Sequence, residues 1–173
     1  VPKVNLNEDG SLGDRNEVHC ASIEHKMGIH GSPTCVMNFD GARGHLIGEP
    51  HKGLNCMFTF MNTMRVGTIG QGVVHSQIAL QKSQTYARAR LQMRARSGIK
   101  NPEGEADPII AHPDVRRMLL TQKSIAEGGR MFLHYCAQLV DLTQRPATPD
   151  AAKEADDLLS FLTPIGKAFF SEL

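Results

Sequence analysis

The sequence predicts an α+β chain, with short strands in residues 1–52 and long helices in residues 53–173. Three observations carry that expectation. The first 52 residues hold brief runs of extended-chain formers broken by Gly and Pro clusters. From Gly53 onward, apolar residues recur at helical spacing over stretches of more than twenty residues. The change of period at Gly53 comes with a change in punctuation: turn-forming residues are frequent before it and concentrated between the helices after it.

The strands come first. Val1–Leu6 reads as extended, and Asn7-Glu8-Asp9-Gly10-Ser11 as a turn. Val18–Ile23, Thr34–Phe39 and His45–Ile47 are the other strand candidates, the first two separated by Gly28, Gly31 and Pro33. About four short strands are too few to close a sandwich or barrel, so the sheet is expected to be incomplete.

A long first helix is expected over Gly53–Arg94, stopped by Ser97-Gly98. Leu54, Met57, Phe58 and Met61 fall at i, i+3, i+4 and i+7 and form an apolar stripe. Gly67, Gly70 and Gly72 interrupt its middle, each costing about 1 kcal/mol relative to Ala. Such glycines imply that something approaches closer than a Cβ allows. A loop over Lys100–Ala111 leads to a second helix that opens at Pro113, with Asp114 in its first turn, and ends at Arg145-Pro146. Thr148-Pro149-Asp150 caps a third, in which Leu158, Leu159, Leu162, Ile165 and Phe169 share a face and Pro164 should produce a kink. That helix is expected to continue at Leu173.

Composition narrows the function classes. Nineteen Lys and Arg against eighteen Asp and Glu give a net charge of +1, unlike the basic surplus of a nucleic-acid binder. No run approaches the roughly 18 apolar residues of a membrane span, and no signal-peptide pattern is present. Neither nucleic acid nor membrane is expected as a partner. Four cysteines without a CxxC pair suit a thiol-containing cytoplasmic protein, with Cys56 and Cys136 as small buried hydrophobes. Val1 in place of an initiator methionine leads us to expect a segment of a longer protein.

Several motifs can be weighed on their chemistry. His19, His25, His30, His45 and His51 are concentrated near Cys20 and Cys35, but at no zinc-ligand spacing, so no metal is expected. On a regular strand His25 and His30 would face opposite sides. Gly44–Gly48 lacks the serine of a nucleophile elbow. Gly67-Thr68-Ile69-Gly70-Gln71-Gly72 lies inside a helix, where it cannot cradle a dinucleotide phosphate. Asn62 and Arg65 flank the apolar stripe. Arg88, Arg90, Arg94 and Arg96 suit a helix C-terminus, and arginine also clamps phosphate well. Glu127 and Arg130 have ion-pair spacing.

These blocks together resemble a known family. Gly53-Leu54, Met57-Phe58, Met61-Asn62, Arg65, Gly67 and Gly70-Gln71-Gly72 resemble the first long helix in the C-terminal domain of acyl-CoA dehydrogenases. His25–Thr34 is similar to a stretch of that family's middle β-domain, with His30 where arginine is common. Tyr86–Arg94 is similar to the family's Y-A-x-x-R-x-x-F-G block. Asp107–Ile110 and His112–Leu120 look like a longer bacterial subgroup.

The resemblance implies that residues 1–52 are the end of an antiparallel β-domain and residues 53–173 the first up-and-down helices of a truncated four-helix-bundle domain. It implies an FAD-dependent oxidation of an acyl-CoA thioester to the 2,3-enoyl-CoA, electron transfer to an electron-transfer flavoprotein, and a homo-oligomer. Arg90, Gln92 and Met93 correspond to cofactor-binding positions, Arg90 toward the FAD pyrophosphate of a neighbouring subunit. Met61, Asn62 and Arg65 correspond to positions near the CoA pantetheine and adenosine. No catalytic residue is expected among the 173. Met64 stands where some members place the catalytic glutamate, and a second glutamate position lies beyond Leu173. The segment alone is therefore expected to be inactive. The alternative is a non-enzymatic helical oligomerisation module derived from the same fold, assembled through exposed apolar faces.

Overall fold

The structure, a computed structural model, describes residues 1–172. Four strands, β1 (Val4–Leu6), β2 (Leu12–Arg15), β3 (His19–Ile23) and β4 (Cys35–Asn38), precede three helices, α1 (Gly53–Ala89), α2 (Pro113–Gln144) and α3 (Pro149–Glu172). The α+β class is as the sequence predicts. The chain divides into two compact units, Val1–Cys56 and a second from Met57 on, and the boundary falls after the first turn of α1.

The first unit consists of two antiparallel hairpins, β1–β2 and β3–β4. The Asn7–Ser11 turn joins the first pair. Asn7 N–H donates to the Ser11 carbonyl at 2.9 Å, and Gly10 takes a φ of +80°, which its missing Cβ permits. β2, which sequence patterning misses, exists because this turn folds Leu12 back onto Leu6. His45–Ile47 forms no strand. Among the described residues it pairs with neither of the two-stranded sheets. Asn16 is the unit's one buried residue. Its side chain donates to the carbonyls of Pro2 and Arg43, both at 2.8 Å, and accepts from Arg43 N–H at 2.9 Å. One amide thus joins three segments that lack an apolar core.

The second unit is built on helix packing. The buried positions of α1 are Val66, Ile69, Val73, Leu80 and Ala87, a near-heptad series that keeps one seam facing its neighbours. The stripe read from the sequence is displaced: Leu54 is 70% exposed and Phe58 45%, and burial begins a turn after Met61. Val66 packs with Cys136, Leu139, Ala155 and Leu159, while Ile69 and Val73 pack with Phe170. Contacts between α1 and α3 advance together along both helices, from Asn62 with Ser160 to Gly72 with Phe170, so these helices run parallel. Those between α1 and α2 run in opposite order, Gly70 meeting Leu133 and Val73 meeting Gly129. The helices therefore go up, down and up.

Local signals place the later helices well. Pro113 occupies the first turn of α2 with Asp114 beside it, and Thr148 Oγ1 accepts from Ala151 N–H at 3.2 Å at the start of α3. Pro164 sits inside an α3 that continues through it to Glu172, and the expected continuation at Leu173 lies outside the described residues. Cys136 is buried, but Cys56 is exposed, contrary to expectation. Glu127 pairs with Lys123 at 3.7 Å instead of with Arg130.

Only one of the three α1 glycines is demanded by packing here. A Cβ on Gly72 would sit 2.8 Å from the Phe170 carbonyl carbon and 2.9 Å from its Cβ, so the two backbones meet at this point. At Gly70 a Cβ would meet Leu133 methyls at an ordinary 3.7 Å, and at Gly67 it would meet nothing within 4 Å. Gly72→Ala is therefore expected to destabilise the protein by about 1–3 kcal/mol through overpacking. Gly67→Ala should stabilise it by up to about 1 kcal/mol through helix propensity. Thermal unfolding of the two variants checks both signs, and a loss at Gly67 would reveal a further surface packed against it.

Candidate functional site

The two groups of residues singled out from the sequence lie apart, one in the first half of α1 and the other just past its C-terminal end. Met61, Asn62 and Arg65 are half-buried in its first half. Asn62 Nδ2 donates to Ser160 Oγ at 2.9 Å, which makes this amide a strut between α1 and α3. The Arg65 guanidinium carbon lies 5.5 Å from the centre of the Phe58 ring, a cation–π distance. Met64 is 60% exposed, and α1 contains no Asp or Glu along its 37 residues. No carboxylate base can come from this helix. Its formal charges are those of Arg65, Lys82 and Arg88 alone.

The second group lies just beyond the helix. The expected helix to Arg94 ends instead at Ala89, and the chain from Leu91 to Ala95 is held in a loop by Asp107. The Asp107 side chain is fully buried. It accepts from the backbone N–H groups of Ala95 and Lys100, both at 2.8 Å, and of Asn101 at 2.7 Å, and pairs with the Arg94 guanidinium at 3.3 Å. Its backbone bonds the same loop: Gln92 N–H donates to the Asp107 carbonyl at 2.9 Å, and Asp107 N–H donates to the Met93 carbonyl at 2.8 Å. His112 Nε2 lies 2.8 Å from the Gln92 carbonyl, and Ile109 N–H donates to that of Arg90 at 2.9 Å.

This frame fixes Arg90, Gln92 and Met93 while leaving their side chains exposed. Met93 is held at a φ of +58°, a left-handed conformation that costs a non-glycine residue of order 1–3 kcal/mol and persists only where its surroundings impose it. The Arg90 guanidinium has no hydrogen-bond or ion-pair partner among the described residues. Arg94, by contrast, is consumed by the loop, donating to the carbonyls of Asn101 and Gly104 as well as to Asp107. The arginine cluster thus separates into one structural member and others that remain available. Asp107, His112, Asn16 and Ser160 were not singled out as site or framework residues. Only Asp107 carries a local signal, an Asp before proline in an interhelical loop.

Among the described residues no three His, Cys, Asp or Glu side chains converge as a metal site. His25 and His30 are brought to one side by the β3–β4 loop, their rings 6.2 Å apart, because the chain there is not a strand. No helix is long and apolar enough to cross a membrane among the described residues.

No family model matches the chain. Individual proteins do match it. Over nearly its whole length the chain is homologous to acyl-CoA dehydrogenases, as the helix and loop blocks imply. Among these relatives is 3-methylmercaptopropionyl-CoA dehydrogenase of Ruegeria pomeroyi, 41% identical over 172 residues, which are 99% of this chain and 29% of that protein. A butyryl-CoA dehydrogenase of Syntrophomonas wolfei is 36% identical over the whole chain, and a broad-specificity linear acyl-CoA dehydrogenase of Mycobacterium tuberculosis is 32% identical over 99% of it. The chain spans 29% of the length of each of these two as well.

The electrostatics of Asp107 give a pH dependence. The Ala95 N–H bond is the largest influence lowering its pKa; burial works against it, and the bonds from Lys100, Asn101 and Arg94 add to the lowering. The carboxyl ionises at about 2, below its ordinary 3.8. Its contribution to stability is therefore complete above the ordinary value and is lost as pH falls from there through about 2. Asp107→Asn is expected to lower Tm by several degrees at neutral pH and to flatten the acid limb of the Tm profile in that window. Parallel acid limbs for the two proteins would contradict the assignment.

Proposed function

We propose that this chain is a central segment of an FAD-dependent acyl-CoA dehydrogenase. In it, residues 1–52 form the end of the middle β-domain and residues 53–173 the first part of the helical bundle domain. The observation that supports this most directly is the Arg90 loop: an exposed, unpaired guanidinium on a backbone locked from both sides. Such a cation suits a pyrophosphate, because arginine donates in a planar fork and its loop is already ordered before the ligand arrives. Gln92 adds an amide donor, and Met93 an apolar side chain held in place by its constrained backbone. That donor set fits a dinucleotide cofactor.

FAD, held by Arg90, Gln92 and Met93, would supply the hydride acceptor for oxidation of the thioester, whose α-proton needs a carboxylate base. The protein segment's role is then binding and orientation. Arg65 and Asn62, with Met61, would line the path of the CoA moiety. With no acid on α1, the glutamate base belongs to a part of the protein outside these residues, and the segment alone is inactive. Electrons would pass to an electron-transfer flavoprotein, in the cytoplasm.

The resemblance also implies a homo-oligomer, in which Arg90 of one subunit would reach the FAD pyrophosphate of its neighbour.

In the intact protein, Arg90→Ala is expected to weaken FAD retention about tenfold or more, since a charge-assisted hydrogen bond contributes about 1.5–3 kcal/mol. Flavin absorbance after gel filtration reads this, and bleaching by butyryl- or longer acyl-CoA reads turnover in the unaltered protein. A colourless, stable oligomer would instead support the non-enzymatic assembly module.

A further inference from the structure

The β3–β4 hairpin places two of the four cysteines together. Cys20 lies opposite Met37 and Ile23 lies opposite Cys35, with the register shifting between Cys20 and Ser22. Cys35 and Met37 are two apart and share a face. Cys20, across from Met37, lies on that face diagonal to Cys35, within the reach of cross-strand neighbours. The irregularity inserts Ala21 into β3 and increases the local twist there. Cys20 Sγ lies 3.4 Å from the Ser22 carbonyl, so the thiol is turned along its strand toward the row of Cys35. Both residues are exposed, whereas Cys136 is buried.

We propose that Cys20 and Cys35 are a redox-modification site that closes a reversible cross-strand disulfide. This inference is independent of the dehydrogenase reading. The oxidant is a peroxide or a low-molecular-weight disulfide. With hydrogen peroxide, one thiolate is oxidised to a sulfenic acid as the O–O bond breaks. The second sulfur then attacks it, forming the S–S bond and expelling hydroxide, so two thiols and one peroxide give one disulfide and two waters. Hydrogen bonding to Cys20 holds the Cys35 thiol above the usual thiol range, with burial and the Cys20 charge adding to the effect. Oxidation should therefore accelerate as pH rises, because the thiolate is the reactive form.

The bond would clamp the mouth of the 24–34 loop. That loop is already folded on itself: Lys26 Nζ donates to the carbonyls of Ile29 and Ser32, and His30 Nε2 lies 2.8 Å from the Lys26 carbonyl. Ile29 has a φ of +55°, unfavourable for a β-branched residue, so the loop holds a conformation that a loosened hairpin mouth would release.

Oxidation of the intact protein with hydrogen peroxide, alkylation and tryptic mapping test this. Trypsin cuts after Arg15, Lys26 and Arg43, so the disulfide joins peptide 16–26 to peptide 27–43. The expected result is that joined pair, removed by dithiothreitol, with a loss of two titratable thiols per chain. Cys20→Ser and Cys35→Ser should each abolish it, and Cys56→Ser should leave it intact. Cleavage after Lys26 in the folded protein should slow several-fold on oxidation. Separate adducts on Cys20 and Cys35, a bridge to Cys56 or between chains, or unchanged cleavage after Lys26 would overturn the proposal.

Discussion

The buried carboxylate of Asp107 is the constraint on which the second unit depends. By collecting three backbone N–H groups and one guanidinium, it ends α1 at Ala89 and folds the chain back toward α2. Without those bonds the Leu91–Asn101 segment would have several backbone donors to satisfy away from a regular ladder, an expensive condition for buried groups. Asp107 also brackets Met93 in its left-handed conformation, its backbone bonding Gln92 and Met93 and its carboxylate Arg94 and Ala95. The turn after α1 and the presentation of Arg90 therefore share one origin.

Packing then determines which residues of α1 are scaffold and which are available. Val66, Ile69 and Val73 face α2 and α3, and at Gly72 the α3 backbone comes too close for any side chain. Gly129 and Gly166 serve the same core from the other helices, their missing Cβ atoms leaving room for Val73 and Ile69. The remaining α1 face, from Leu54 through Met64, is exposed and apolar in this segment. Met61, Asn62 and Arg65, half-buried, lie where this exposed stretch meets the packed part of the helix.

How much was legible in the sequence follows from the range of the forces involved. The openings of α2 and α3 were readable because Pro113 and Thr148 act within one turn. The end of α1 was not, because it is dictated by an acid eighteen residues further on, and helical propensity through Arg94 offers no warning of it. Asn16 is a sharper case: its partners Pro2 and Arg43 lie on either side in sequence, and nothing local distinguishes it from a surface asparagine. For the candidate site, the positions were found through family resemblance, and their physical state came only from the structure. Asn62 turned out to brace α3, and Arg94 to brace its own loop, while the Arg90 guanidinium has no partner among the described residues.

That difference between Arg90 and Arg94 bears on how such a segment can serve a catalyst. A phosphate clamp works best when its donors are fixed before binding, since ordering them afterwards reduces affinity. Arg94 contributes to that order by bonding loop carbonyls and Asp107, at the cost of its own availability. Arg90 benefits, four residues earlier, with its backbone bonded to Tyr86 and Ile109 and its guanidinium unengaged. Two arginines of one cluster thus divide the work, one building the platform and the other standing on it. Exchanging either for lysine would keep the charge, but Arg94 would lose the fork that spans Asn101, Gly104 and Asp107, so the loop would be affected before any ligand was present.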